Sequence, residues 1–489
     1  MSIRAIFLGL GALAACGDNG VTSPASPDAG PLVTRTCAGE TLATVDLTGI
    51  YHARLTLEGS ESASAFRFDP AGDGFTIALG GEVVPITRSA QAVVAHQGTS
   101  TDGRTVTIDH LADDCSVSGT WQRCRGGQCY DYALAGKRVD RLDEAPAHGL
   151  TLVSEYVGTA ADPWTAAGLP VNVRVADKIA YVANYWDGLR IVDVHDPAHP
   201  VELGHAPAQF GQAGEIYNDV KIIDEQGKRF ALMASSINGV VPVDVSDPAH
   251  PVDGARFGTG NNVHTVFVDG GRVYLGASGG GLEIWDLADP AHAVKLGGWL
   301  HPNAPSPSPY LHDLYVHGDR AYLNYWDSGM TILDVSDPAH PEVVGEYANY
   351  GQHTSHSNWV TQVGARMISV HGDEQWDAHV HIVDVTEGTA GFATGIGEWR
   401  TRPEVSVHNI MAFGSRAYMA HYQDGVRVLD LSDPTAPVAI AWFNTWPGYD
   451  TRYGSSFFEG AVGIDVDLDA KLVYVADSHR GLMILHLDV

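Results

Sequence analysis

A short stretch ending in aspartate recurs seven times along this chain and constrains how it can fold. Its clearest copy is Asp187-Gly188-Leu189-Arg190-Ile191-Val192-Asp193-Val194. The other anchors are Asp244, Asp286, Asp334, Asp384, Asp430 and, with histidine in place of aspartate, His486. Successive anchors lie 51, 42, 48, 50, 46 and 56 residues apart. A period of that size marks an array of small units, none of which can bury its apolar face alone. Within the first copy, alternation and turn residues predict strands over 171–175, 179–183, 189–194 and 201–204. Four antiparallel strands per unit make one propeller blade. Runs such as Ile191-Val192 and Ile332-Leu333 are continuously apolar, as strands covered on both faces must be. The expectation is therefore all-β, with a seven-bladed β-propeller of four-stranded blades over residues 151–489.

The ends of the array carry a second expectation. The last copy runs to Val489, where other copies continue through an Asp-Pro turn into a fourth strand. Leu152-Val153-Ser154-Glu155-Tyr156-Val157-Gly158 resembles the fourth strand Val343-Val344-Gly345-Glu346-Tyr347. An N-terminal strand over 151–158 is thus predicted to complete the last blade and leave no open sheet edge.

Before the propeller the chain divides further. Arg4, the apolar run from Ala5 to Leu13 and Leu13-Ala14-Ala15-Cys16 make residues 1–16 resemble a bacterial lipoprotein signal peptide. That resemblance implies lipidation at Cys16 and export to the outer membrane or cell surface, with the membrane as a partner through the lipid anchor. Residues 17–35 are rich in Gly, Ser, Pro, Asp and Thr and read as a flexible tether. Residues 36–140 alternate apolar and polar residues between Gly-rich turns. They are expected to form a small β domain, a barrel or sandwich of six to eight strands. Its Gly-x-Tyr start and later Ser118-Gly119-Thr120-Trp121 loosely resemble a lipocalin. Residues 141–150 are expected to be a linker. Four cysteines remain after Cys16, at 37, 115, 124 and 129. In an exported chain they read as two disulfides, Cys37–Cys115 and Cys124–Cys129, with other pairings and a zinc site as alternatives. With 29 basic against 59 acidic residues the formal charge is -30, which argues against a nucleic-acid partner.

The apolar pair followed by Asp-Val and Asp-Pro resembles the LVIVD repeat family of bacterial and archaeal surface proteins. The resemblance spans about residues 151–489 and implies a propeller-like fold at a cell surface. It brings no activity and no catalytic residues. Among the motifs, the repeated aspartates precede Asp-Pro turns, and their role reads as holding turn amides.

A different set of residues departs from the repeat. His264, His312 and His408 each lie 22 residues before their anchors Asp286, Asp334 and Asp430. His356 lies 28 before Asp384, in a blade with an insertion near 374–379. Equal offsets place these histidines at the start of the innermost strands, converging at one channel mouth. Asn172, Asn218 and Gly463 are expected in the same place in the remaining blades. Asp313 and Asn409 adjoin it, and Tyr325, Trp326 and His421 follow the second strands on the same face. That face also carries loop aromatics such as Tyr310, Trp446, Phe457 and Phe458. Converging imidazoles at His264, His312, His356 and His408 suit a divalent transition metal or acid–base work. Aromatics beside polar groups suit a protein, peptide or carbohydrate ligand. The plainer alternative is a water-filled polar channel. No Walker loop, nucleophile elbow or His-Glu-x-x-His is present. The leading expectation is a lipid-anchored cell-envelope scaffold that binds through this face, with a metal-dependent hydrolase or oxidoreductase as the alternative.

Overall fold

A computed structural model describes residues 36–158, 169–207, 215–258, 262–278, 281–302, 310–348, 350, 354–446 and 448–489. The signal segment, the tether and the lipidation site Cys16 lie outside the described residues.

The N-terminal domain is a closed barrel of eight strands, from Gly49–Leu57 to Gln128–Arg138. The first strand pairs with both the second and the eighth, which closes the sheet. Alternation sends Tyr51, Phe66, Phe68 and Trp121 inward, where the Tyr51 ring stacks on Phe66 at 5.2 Å. Aromatic side chains fill the interior of a barrel this small. Both expected disulfides are present: Cys37–Cys115 and Cys124–Cys129. The second joins directly paired residues of a hairpin.

The propeller has seven sheets around a central channel, each with at least four strands. In blade 1 these are Pro170–Ala176, Ile179–Asn184, Gly188–Asp193 and Val201–Ala206. Blade 7 is completed from the front: Leu150–Tyr156 pairs antiparallel with the last strand, Gly481–Leu487. Residues 141–150 do more than link. Ala147–His148 adds a fifth strand to blade 6, and the Glu144 carboxylate accepts from the buried Arg427 guanidinium. A buried guanidinium needs a counter-charge, so the segment is pinned.

The repeated aspartates do serve their turns. Asp193, Asp334 and Asp430 each accept the amide two residues on, at 2.8, 2.9 and 2.8 Å. The Asp-Pro turns of blades 2, 4 and 6 in turn seat on the fourth strand of the preceding blade. A Cβ at Gly204, Gly297 or Gly397 would fall 2.1, 1.9 or 2.3 Å from the carbonyl of Pro248, Pro338 or Pro434. At the ring's closure the Ser154 hydroxyl donates to Pro197 O at 2.6 Å, which preserves the contact. Gly297→Ala is therefore expected to force blades 3 and 4 apart and to destabilise by about 2 kcal/mol or more. Chemical denaturation checks this; an unchanged midpoint would mean that the turn can shift without cost.

Candidate functional site

The innermost strands start with a bulge. In blades 2 to 5 the pairing with the second strand skips one residue: Asn218, His264, His312 and His356. A bulge re-aims the side chain it carries. In blade 6 the same place falls to His408, just before the strand Ile410–Phe413. In blades 1 and 7 the skipped residues are Val171 and Val462. This corrects the expectation for Asn172 and Gly463, which sit one residue further on. The offset of 22 from Asp193 itself lands on Val171; the polar neighbour had suggested otherwise.

These positions line a channel cavity of about 300 Å³. His264, His312, His356, His408, Asn172, Asn218, Asp313, Asn409 and Trp326 all border it. The four imidazoles form an arc, with ring centroids 4.1, 4.3 and 4.3 Å apart in chain order. Trp326 packs on His312 at 4.9 Å.

Tyr325 and His421 do not reach the cavity. Strand alternation turns both into seams between blades. Tyr325 packs against Trp299, and His421 meets Trp399 edge-on at 5.8 Å. In five blades the next residue faces inward instead. That position is Tyr185 in blade 1, Ser236 in blade 2, Trp326 in blade 4, Glu374 in blade 5 and Tyr422 in blade 6.

Glu374 is the residue that sequence reasoning missed as a site member. The signal existed: Asp373-Glu374 aligns with Tyr325-Trp326 at the end of the second strand. The insertion that follows obscured it.

Glu374 is buried, and its carboxylate lies 3.6 Å from His356 Nε2 and 3.9 Å from His408 Nε2. The Tyr422 hydroxyl donates to it in a very short bond. Burial pushes the Glu374 carboxyl up to about 8, against the pull of the Tyr422 bond. Burial also lowers His264 and His408 to about 4 and holds His312 and His356 well below the ordinary histidine range, with neighbouring imidazoles adding to the effect. The imidazoles are therefore neutral at physiological pH, with a lone pair free on each ring. His408 Nδ1–H donates to Val462 O at 2.7 Å, which leaves the Nε2 lone pair facing Glu374.

The opposite wall is charged. Buried Asp219 accepts from Lys221 at 2.6 Å, from Thr265 and from Asn172. Asp313 beside it is raised to about 6 by burial and by the charge of Asp219.

The barrel sits on this same face. His52 of the barrel is fully buried; its Nδ1–H donates to Glu404 O at 2.6 Å and its ring lies 4.5 Å from Phe457. Tyr449 donates to Asp69, and Ile50 packs with Trp446 and Tyr453. Phe458, beside Phe457, borders the cavity. One loop thus touches both the barrel and the site.

None of the curated proteins compared with this chain matches its sequence. Among solved structures it is similar to Chaetomium thermophilum Raptor, at 11% identity and a TM-score of 0.49, over 69% of this chain and 29% of that one. It is also similar to the WD40 beta propeller domain of Doa1, at 12% identity and a TM-score of 0.48, over 69% and 97% of the two chains. The computationally designed Ika8 protein matches at 8% identity and a TM-score of 0.42, over 82% and 95%. The chain thus spans less than a third of the Raptor chain's length. The family model described as LVIVD repeat matches residues 167–206, 228–259, 310–349 and 406–445. These segments fall in blades 1, 2, 4 and 6, so LVIVD repeats are found at four positions in the propeller.

Proposed function

We propose that this protein works at the cell envelope, held by acyl chains on Cys16, as a binding propeller whose ligand site is the channel cavity on the histidine face. A propeller of LVIVD repeats fits a binding or scaffold role in general. One observation carries the finer reading: the imidazole arc, Glu374 and the rings of Tyr310, Trp326 and Phe458 converge on a single cavity of about 300 Å³. Apolar and aromatic walls with a few placed polar groups are what small-molecule sites are made of. That size suits a small molecule or a single sugar unit better than a folded partner. The lipobox-like Leu13-Ala14-Ala15-Cys16 supports the envelope location. A metal-dependent hydrolase or oxidoreductase at the same cavity is the second reading, favoured by the carboxyl of Glu374 among neutral imidazoles.

Screening the purified chain against sugars and other small metabolites by thermal shift tests the binding reading. A true ligand raises the melting temperature of the native chain, since whatever binds only the folded state stabilises it. Asn218→Trp, which fills the cavity mouth, is expected to abolish that shift while leaving the unliganded melting temperature in place. A ligand that stabilises both chains equally would place its site elsewhere. Loss of radiolabelled palmitate incorporation in Cys16→Ser checks the anchor; labelling that persists would refute it.

A further inference from the structure

We propose that His312, His356, His408 and Glu374 hold one divalent first-row transition-metal ion at the wall of the channel cavity. This deepens the reading of that cavity as the ligand site and rests on it.

The distances favour a shared ion over direct hydrogen bonds. Glu374 lies 3.6 Å from His356 Nε2 and 3.9 Å from His408 Nε2. Both are too long for an imidazole–carboxylate hydrogen bond. Two ligand atoms held by one tetrahedral ion at about 2.1 Å sit about 3.4 Å apart. The His356 separation of 3.6 Å is close to that value; the His408 separation, to the other carboxylate oxygen, is 3.9 Å. Ligand atoms of His312, His356 and Glu374 lie within 4.8 Å of one another, and all three residues are buried.

The unmet polar atoms point the same way. Among the described residues, neither ring nitrogen of His356 has a hydrogen-bond partner, and Nδ1 of His312 has none. Burying such atoms without a partner is unfavourable, and native chains rarely do it. An ion between them would supply a partner to one nitrogen of each ring.

The surrounding contacts have the form that supports metal ligands. A ligating histidine usually donates its other N–H to a carbonyl or carboxylate, which fixes the tautomer. His408 does this through Nδ1 to Val462 O. A ligating carboxylate is usually oriented by a further hydrogen bond, and the Tyr422 hydroxyl supplies one to Glu374.

Imidazole-rich ligand sets with one carboxylate suit zinc, iron, manganese or cobalt, in contrast to the all-oxygen shells of calcium and magnesium. His264, its ring tilted against His312 at 4.1 Å, continues the arc away from the ion. With four protein ligands the tetrahedral shell would be full, so a further ligand would enter from the cavity, near Tyr310 and Trp326, as a fifth. A ligand there could add an oxygen or nitrogen donor.

The test is titration of the chelator-stripped full chain with Co(II), read by visible d–d absorption. One equivalent is expected to bind with micromolar affinity or better, and Zn(II) is expected to displace it. His356→Ala and the isosteric Glu374→Gln are each expected to weaken binding by at least about 100-fold. His250→Asn, in an exposed turn far from the channel, is expected to leave it unchanged. Far-UV circular dichroism and the melting temperature establish that each variant is folded. Should His356→Ala fail to fold, Glu374→Gln alone decides. Absence of saturable Co(II) binding overturns the proposal, as does binding that Glu374→Gln does not alter. The cavity reading is judged separately. A small molecule that binds the stripped chain, and is lost in Asn218→Trp, would leave the cavity standing even if the ion fails.

Discussion

Replacing the seven residues Leu150–Tyr156 with glycine and serine is expected to lower the melting temperature by a few degrees and to make the protein self-associate. The strand closes the ring by pairing with Gly481–Leu487 along its length. Each ladder hydrogen bond contributes about 1 kcal/mol net. Leu150 is buried against blades 6 and 7, and burial of a leucine adds about 1.5–3 kcal/mol. Leu152, Val153 and Tyr156 add partial burial against blades 6, 7 and 1. Ordering the strand costs about 1–2 kcal/mol per residue and takes up most of the gain, so the fall in the midpoint is modest. The larger consequence is topological. Without the strand, Gly481–Leu487 becomes an unpaired edge of apolar residues, and exposed edges of this kind recruit other chains. Differential scanning calorimetry with light scattering measures both effects. An unchanged midpoint in a monodisperse sample would show that three strands suffice for blade 7.

The second large effect is acid sensitivity at the junction of barrel and propeller. His52 is fully buried there, and burial lowers it to about 3. The unfolded or undocked histidine titrates near 6.5, so between those values the docked state binds fewer protons than the open one. Stability from docking is then intact above about pH 6.5 and falls as the pH drops below it. The loss is about 1.4 kcal/mol per pH unit, with an upper bound of about 5 kcal/mol near pH 3. The Glu404 carbonyl and Asp424 favour protonation of His52 while Arg402 opposes it; all three are weaker than burial. Lys137, paired with Glu404, also borders the contact. His52→Gln is expected to flatten the dependence of the unfolding free energy on pH between 4 and 6.5. An equally steep dependence in that variant would assign it to other groups.

Much of this architecture was legible in the chain. The Asp-anchored repeat gave the number of blades, because a four-stranded unit recurring at that spacing has few other ways to cover both its faces. The missing last strand pointed to a replacement over 151–158, and the strand runs over Leu150–Tyr156. Four cysteines pointed to two disulfides, and of the three possible pairings the favoured one is present. The site was legible only in part. The common offset found His264, His312 and His408 because the hairpins of those blades are equal in length. It could not fix Asn172, where a polar residue beside the true position misled. It also could not assign Tyr325 or His421, since a shift of one residue along a strand exchanges cavity for seam. Residues 141–150 looked like a linker because their partners, Arg427 and Trp442, lie almost 300 residues away.

The sequence by itself determined the seven-fold repeat, the strand order within each blade and the closure of the ring, all of which depend on local pattern and period. Only the tertiary structure decided that Glu374 joins the imidazole arc. Its insertion breaks the period, and a carboxylate's approach to histidines of neighbouring blades depends on the curvature of the whole ring. Only the tertiary structure, likewise, placed the barrel over the face that carries the cavity. That contact joins surfaces distant in sequence, and no periodic signal encodes it.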